Sequence, residues 1–331
     1  MRSNTEPSPA GRIARRISTL PPSSFFATSA VFHYLGPSVA VLLFAHLAVL
    51  GVAWLRIVGA ALVFALWRRP WRLVRRMVPA QRWVLVGLGA VLAGMNAVFY
   101  LALARLPLST VGAIEFLGTV ILAALGARTR RNLLALVLAV GGVAALTELR
   151  LVDAPMGFVF AFANCAGFVL YVILGHRIAT TGVHEDPDAT PSTTSWSMSG
   201  IDQLGAAMLI AALVITPLGI TGAAPAFTHP LWLVWGIGVA VCSSVIPYVT
   251  DQLAMARLPR ATFALMLALL PAAATVMGLL VLHQVPTWQD LLGVAMVIAG
   301  VALHHDPPQD SDTKTTRGAG ADTRRSPPAA Y

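Results

Sequence analysis

The chain has 331 residues, of which 57% are hydrophobic and 11% charged, with a mean hydropathy of +0.74 and a formal net charge of +9. An ordinary soluble domain is about 25% charged, so this composition excludes a water-soluble enzyme or binding module, and its hydrophobicity excludes disorder as the general state. What remains is an all-α integral membrane protein with many spans.

A spanning helix needs about 20 mostly apolar residues. Ten such runs follow one another: Phe25–Phe44, Leu47–Trp67, Trp83–Ala104, Leu108–Ala127, Leu133–Leu149, Met156–Ile178, Leu204–Thr221, Leu231–Met255, Thr262–Leu282 and Trp288–Leu303. The first run is longer than the core of a signal peptide and reads as a retained span. The break between the first two is marked only by Ala45, His46 and nearby Gly51. Residues 1–24 read as a basic cytoplasmic tail, 179–202 as a mobile cytoplasmic linker, and 306–331 as a disordered cytoplasmic tail.

The loops alternate in charge. Arg2, Arg12, Arg15 and Arg16 precede the first run. Arg68, Arg69, Arg72, Arg75, Arg76 and Arg82 follow the second, and Arg128, Arg130 and Arg131 the fourth. With Arg177, Arg257, Arg260 and the C-terminal Lys314, Arg317, Arg324 and Arg325, 20 basic residues fall on one side, against Arg105 and Arg150 on the other. Basic residues stay in the cytoplasm, so both termini are expected there. The +9 balance is then about topology, with the lipid bilayer as partner and no nucleic acid. Cys165 and Cys242 lie in apolar runs and read as small core residues.

One segment recurs. Leu101-Ala-Leu-Ala-Arg-Leu-Pro-Leu-Ser-Thr110 and Leu253-Ala-Met-Ala-Arg-Leu-Pro-Arg-Ala-Thr262 agree at seven of ten positions, 152 residues apart. Each copy joins the third and fourth spans of a half. Five spans separate the copies, so they point in opposite directions across the membrane. That predicts two inverted five-helix repeats, residues 25–150 and 151–305, an architecture that recurs in secondary transporters.

Polar groups inside spans are costly and usually face a cavity or a partner. Glu115 sits in mid-span and is the sharpest candidate for a proton carrier. Asp251 lies toward the cytoplasmic end of the eighth span, where it could instead cap a helix. Arg56 lies in the second, where it could be a structural ion partner of Glu115. Asn96 and Tyr100 share one face of the third span, with Phe99 beside them, and Asn164 and Tyr171 share a face of the sixth. Ser243, Ser244, Pro247 and Tyr248 lie on the eighth. Pro247 and Pro271 break backbone hydrogen bonding, and freed carbonyls often line a path. Any of these could instead hold helices together. His33 and His46 read as local interface groups, and Gly87, Gly89 and Gly94 as close helix packing. There is no phosphate-binding motif, no catalytic constellation and no metal-ligand cluster, so no cofactor is expected.

Met95-Asn-Ala-Val-Phe-Tyr-Leu-Ala-Leu-Ala-Arg-Leu-Pro-Leu, followed by Ala113-Ile-Glu-Phe-Leu-Gly, resembles the EamA-type drug/metabolite transporters, and most of all their threonine/homoserine exporter group. Ser243-Ser-Val-Ile-Pro-Tyr, Leu258-Pro-Arg-Ala-Thr-Phe, Trp54-Leu-Arg and Gly200-Ile-Asp-Gln-Leu-Gly extend the likeness over roughly residues 25–305. The resemblance implies a multi-pass protein of a bacterial plasma membrane that exports small polar metabolites, amino acids above all. It implies a cavity lined by spans three, four, eight and nine, and coupling to proton entry. Glu115 matches the family's acidic position in the fourth span, and Asp251 an acidic position in the eighth. The sequence departs at Leu269-Leu270-Pro271, where the family pattern has Leu-Glu-Pro, and at Thr119, where proline often stands. The lost carboxyl leaves export of drugs or apolar compounds as an alternative. A non-transporting scaffold is the remote one.

Overall fold

The computed structural model describes residues 22–77, 79–126, 129–148, 154–181, 193–255 and 270–303, and among them there is no strand. In chain order the helices are α1 (Pro22–Leu43), α2 (Val49–Arg68), the short α3 (Trp71–Arg76), α4 (Pro79–Leu103), α5 (Leu108–Gly126) and α6 (Arg130–Glu148). They continue as α7 (Pro155–Thr181), α8 (Thr193–Thr228), α9 (Pro230–Ala240), α10 (Ile246–Met255), α11 (Leu270–Leu282) and α12 (Trp288–Leu303). A π-helical turn, Val241–Val245, joins α9 to α10 into one rod.

Five of these helical stretches are long and apolar enough to cross a membrane: Val49–Arg68, Pro79–Leu103, Pro155–Gly175, Gly200–Thr228 and Pro230–Asp251. α11, α12 and parts of α1 and α5 are apolar but shorter. The outer faces of α2, α8, α9 and α12 carry large exposed apolar side chains, among them Leu66, Leu213, Leu231 and Trp288. In water these would be a liability; against hydrocarbon they are the favourable surface.

The packing partners form a regular scheme. α2 packs along α8, α6 along α12, and α5 against α11. α1 packs on α10 and α11, as α7 packs on α4 and α5; α2 meets α9, as α8 meets α4. Exchanging α1, α2, α4, α5 and α6 for α7, α8, α9–α10, α11 and α12 leaves these pairings unchanged. Small residues make the closest crossings possible. A side chain on Gly51 would strike the backbone of Gly222, and one on Gly219 would strike Trp54, so α2 and α8 touch backbone to backbone. Gly89 likewise lies against Ile210 and the Ala207 carbonyl of α8, whereas a Cβ on Gly94 would meet nothing within 4 Å. Gly94 therefore does not serve the close packing expected of it.

Two features differ from the sequence reading. α8 begins at Thr193, inside the segment 179–202 expected to be a mobile linker, and α7 runs to Thr181. Asp202, at the polar end of α8, is held by a two-pronged ion pair: Arg68 Nε and Nη2 donate to its two carboxylate oxygens at 2.7 and 3.0 Å. The charged partner on α2 lets the helix extend past its apolar stretch. The helix α3, within the basic loop, was also not expected. Residues 182–192, both tails and the core of the second repeat copy, 256–262, lie outside the described residues, as do the start of the ninth expected span and Arg257.

Candidate functional site

The site begins with a proline. An α-helical carbonyl is satisfied by the N–H four residues on. Residue 247 is proline and has no N–H to offer the Ser243 carbonyl, and its ring crowds that carbonyl. The helix widens just before it: Ile246 N–H bonds five residues back, to Val241, the signature of a π turn. The Ser243 carbonyl is then met from another helix. Arg56 of α2 donates Nη2–H to it at 3.1 Å, and donates Nε–H to the Ser244 hydroxyl at 3.0 Å. Ser243's own hydroxyl turns back to the Val239 carbonyl at 2.6 Å. Gly36 of α1 lies directly against Ser243, where any side chain would collide.

Arg56 is buried, at 6% exposure, and its guanidinium lies 5.5 Å from the ring centroid of Tyr100, itself buried. A cation over an aromatic face is attractive, more so out of water. The guanidinium is thus fixed by the π turn and by Tyr100, and the Nη1 edge stands outside both hydrogen bonds. Arg56 does not serve as the ion partner of Glu115, for the two form no direct ion pair in the structure.

Glu115, on α5, is buried at 7% exposure, within electrostatic range of Arg56 and beside Asn164 of α7. One of its oxygens, Oε2, has no hydrogen-bond partner among the described residues. The same holds for Asn164 Nδ2, Tyr34 Oη, Tyr100 Oη and Thr110 Oγ1, all buried. Gly112, one turn before Glu115, leaves room for the Tyr34 hydroxyl, which would stand 2.9 Å from a Cβ there. Buried polar groups are normally bonded, and each unbonded one costs about 1–3 kcal/mol. Of these, Asn164 and Tyr34 lie beside the Glu115 carboxyl and Tyr100 beside the Arg56 guanidinium and Ser243, so polar atoms cluster around the two charges.

Tyr248, on α10, lies within electrostatic range of Arg56, Glu115, Asp251 and Tyr100, and so links the two acidic positions. Asp251 lies further along the same helix, with the Ser29 hydroxyl of α1 beside it. Tyr171 stacks on Phe168 at 6.2 Å between centroids, and Phe168 meets Phe116 of α5 edge-on.

The structure therefore brings together Arg56, Glu115, Tyr100, Asn164, Ser244, Pro247 and Tyr248, with Asp251 and Tyr171 next to them. Others take quieter places. Asn96 is buried but donates its amide to the Leu92 carbonyl of its own helix at 2.8 Å. Phe99 packs edge-on against Tyr100. Pro271 is buried at the start of α11 beside Leu270, and its carbonyl accepts from Thr275 at 3.0 Å. His33 packs edge-on against Tyr34 and lies within electrostatic range of Arg56, whereas His46 stacks on Trp232. Arg105 bonds the Leu101 carbonyl and lies over Phe160, as a turn residue would. The Thr119 side chain lies outside the described residues. Tyr34 and Thr110 were not singled out by the sequence. The signal that selected Tyr100, a hydroxyl-bearing side chain inside an apolar run, was present at Tyr34 too.

Fold and site together define a multi-pass helical membrane protein with a polar centre. The model of the EamA-like transporter family matches residues 192–304. The threonine/homoserine exporter RhtA of Escherichia coli (strain K12) is 32% identical over 268 residues, covering 80% of this chain and 84% of that one. RhtA of Salmonella typhimurium (strain LT2) shows the same identity and coverage. A solved structure described only as that of a protein overlays with a TM-score of 0.48 at 18% identity, covering 85% of this chain and 96% of that one. The chain belongs to the EamA-like transporter family and is a membrane transporter.

Proposed function

We propose that the protein exports threonine, homoserine and related small polar amino acids from a bacterial cytoplasm across the plasma membrane, in exchange for entering protons. The observation that carries this is the group of buried polar atoms at Arg56 and Glu115, to which Tyr34 Oη, Tyr100 Oη and Asn164 Nδ2 belong. An apolar cargo would leave them unsatisfied; a small polar one would satisfy them. The relatives named for threonine and homoserine export support that substrate class.

The pairing of helices supports an alternating-access mechanism. Ten spans in two five-helix halves of opposite orientation, with both termini in the cytoplasm, can rock about the α2–α8, α5–α11 and α6–α12 contacts. Such rocking exposes one central site to each side in turn. Arg56 ties α2 of the first half to the π turn of the second, so the site straddles the seam. Glu115 is the group that exchanges a proton for substrate, with Tyr248 between it and Asp251. Leu270, buried where the family pattern has a carboxyl, favours a second reading in which apolar compounds are the cargo.

The test compares the medium of a strain overproducing the protein with that of a strain lacking it. Threonine or homoserine accumulating outside the overproducer is expected. Accumulation of lipophilic cations instead would favour the second reading. No compound accumulating would contradict export.

A further inference from the structure

We infer that Arg56 and Glu115 read the two charged ends of a zwitterionic substrate, Arg56 its carboxylate and Glu115 its ammonium group. This rests on the proposed export of amino acids and adds how the site selects them.

A buried cation and a buried anion normally pair, because each alone is costly. Here they lie within electrostatic range of one another and do not. The reason is structural. The Arg56 guanidinium is tied to Ser244 at 3.0 Å and to the Ser243 carbonyl at 3.1 Å, and rests on Tyr100. The carbonyl exists as a free acceptor because residue 247 is proline. These two bonds use Nε–H and one Nη2–H, Tyr100 stands within hydrogen-bonding reach of the same group, and the remaining donors belong to a planar guanidinium, the shape that binds a carboxylate. Glu115 Oε2 has no hydrogen-bond partner within 3.5 Å among the described residues, with the Asn164 side chain beside the carboxyl. It is acceptor-only when ionised, which suits an ammonium group and not a second anion. A molecule carrying both charges on one carbon neutralises both groups at once. A molecule carrying one leaves the other charge buried and unpaired.

The experiment uses vesicles of inverted membranes containing the full chain, and measures inhibition of labelled threonine uptake. The competitors are threonine, threoninamide, threonine methyl ester and N-acetylthreonine. The amide and the ester lack the carboxylate; the acetyl compound lacks the ammonium. The expected result is that each derivative requires at least about tenfold more than threonine for half-inhibition, since losing a charged contact at a buried site costs over 1.4 kcal/mol. In Arg56→Gln the preference for threonine over threoninamide should shrink, while N-acetylthreonine stays excluded. Arg56→Lys should retain part of the preference. The wild-type series alone decides the matter if Arg56→Gln does not fold. Threoninamide and the ester competing as well as threonine would overturn the inference and leave the export reading intact. Uptake of threonine no greater than in vesicles without the protein would overturn the export reading itself.

Discussion

The Arg56 guanidinium donates to the carbonyl of Ser243, 3.1 Å away and 187 positions along the chain. That carbonyl is available because Pro247 cannot bond it, and the bond joins α2 to the π turn at the polar centre. One proline thus shapes the helix, frees the acceptor and fixes the charge.

Pro247→Ala supplies an N–H that competes with Arg56 for the Ser243 carbonyl. A hydrogen bond to a charged group contributes about 1.5–3 kcal/mol, so threonine efflux should fall by roughly tenfold or more. The melting temperature in detergent should not fall, since the proline is the residue that disrupts the helix. Efflux at the wild-type rate would show that this bond has no part in transport.

The backbone contact of α2 with α8 predicts a sharp contrast between glycines. Gly51→Val places a side chain against the Gly222 backbone and should cost about 1–3 kcal/mol through overpacking, seen as a lowered melting temperature and yield. Gly94→Ala meets nothing within 4 Å and should leave both unchanged. Equal behaviour of the two variants would contradict the packing described.

The long apolar helices were legible in the sequence because each is an apolar run bounded by arginines, glycines or prolines; the short, basic α3 was not. The polar start of α8 was not, since Ser, Thr and Asp read as linker; its partner, Arg68, is 134 positions from Asp202. The polar residues of the site could be picked out one by one, because hydroxyls and charges are rare in such runs. Their arrangement could not. That Arg56 bonds Ser243 and Ser244 and makes no ion pair with Glu115 depends on a π turn, which no local pattern announces. The cost of Pro247 was visible, but which donor would meet the freed carbonyl was not.

The Arg68–Asp202 pair lies where the sequence predicted mobility. Its side chains are 17% and 26% exposed, so solvent screens it in part. A double-mutant cycle of Arg68→Ala and Asp202→Ala should give a coupling of about 1 kcal/mol or less in detergent. It should be reduced further by high salt. Coupling unchanged by salt would contradict a partly solvated pair.

Gln284, in the loop before α12, accepts the Leu108 N–H at 3.1 Å and so satisfies a donor at the start of α5. Gln284→Ala leaves that N–H without its acceptor and should cost about 1 kcal/mol, the usual effect of losing a helix-start cap. A melting temperature equal to the wild type would show that the donor finds another partner.

Proton-driven export through a site containing Glu115 is measured by labelled threonine uptake into inverted vesicles whose lumen is made acidic, so that protons leave as substrate enters. Accumulation above the gradient-free level is expected, abolished by a protonophore and lost in Glu115→Gln. Uptake that is the same with and without the gradient, and the same in Glu115→Gln, would contradict it.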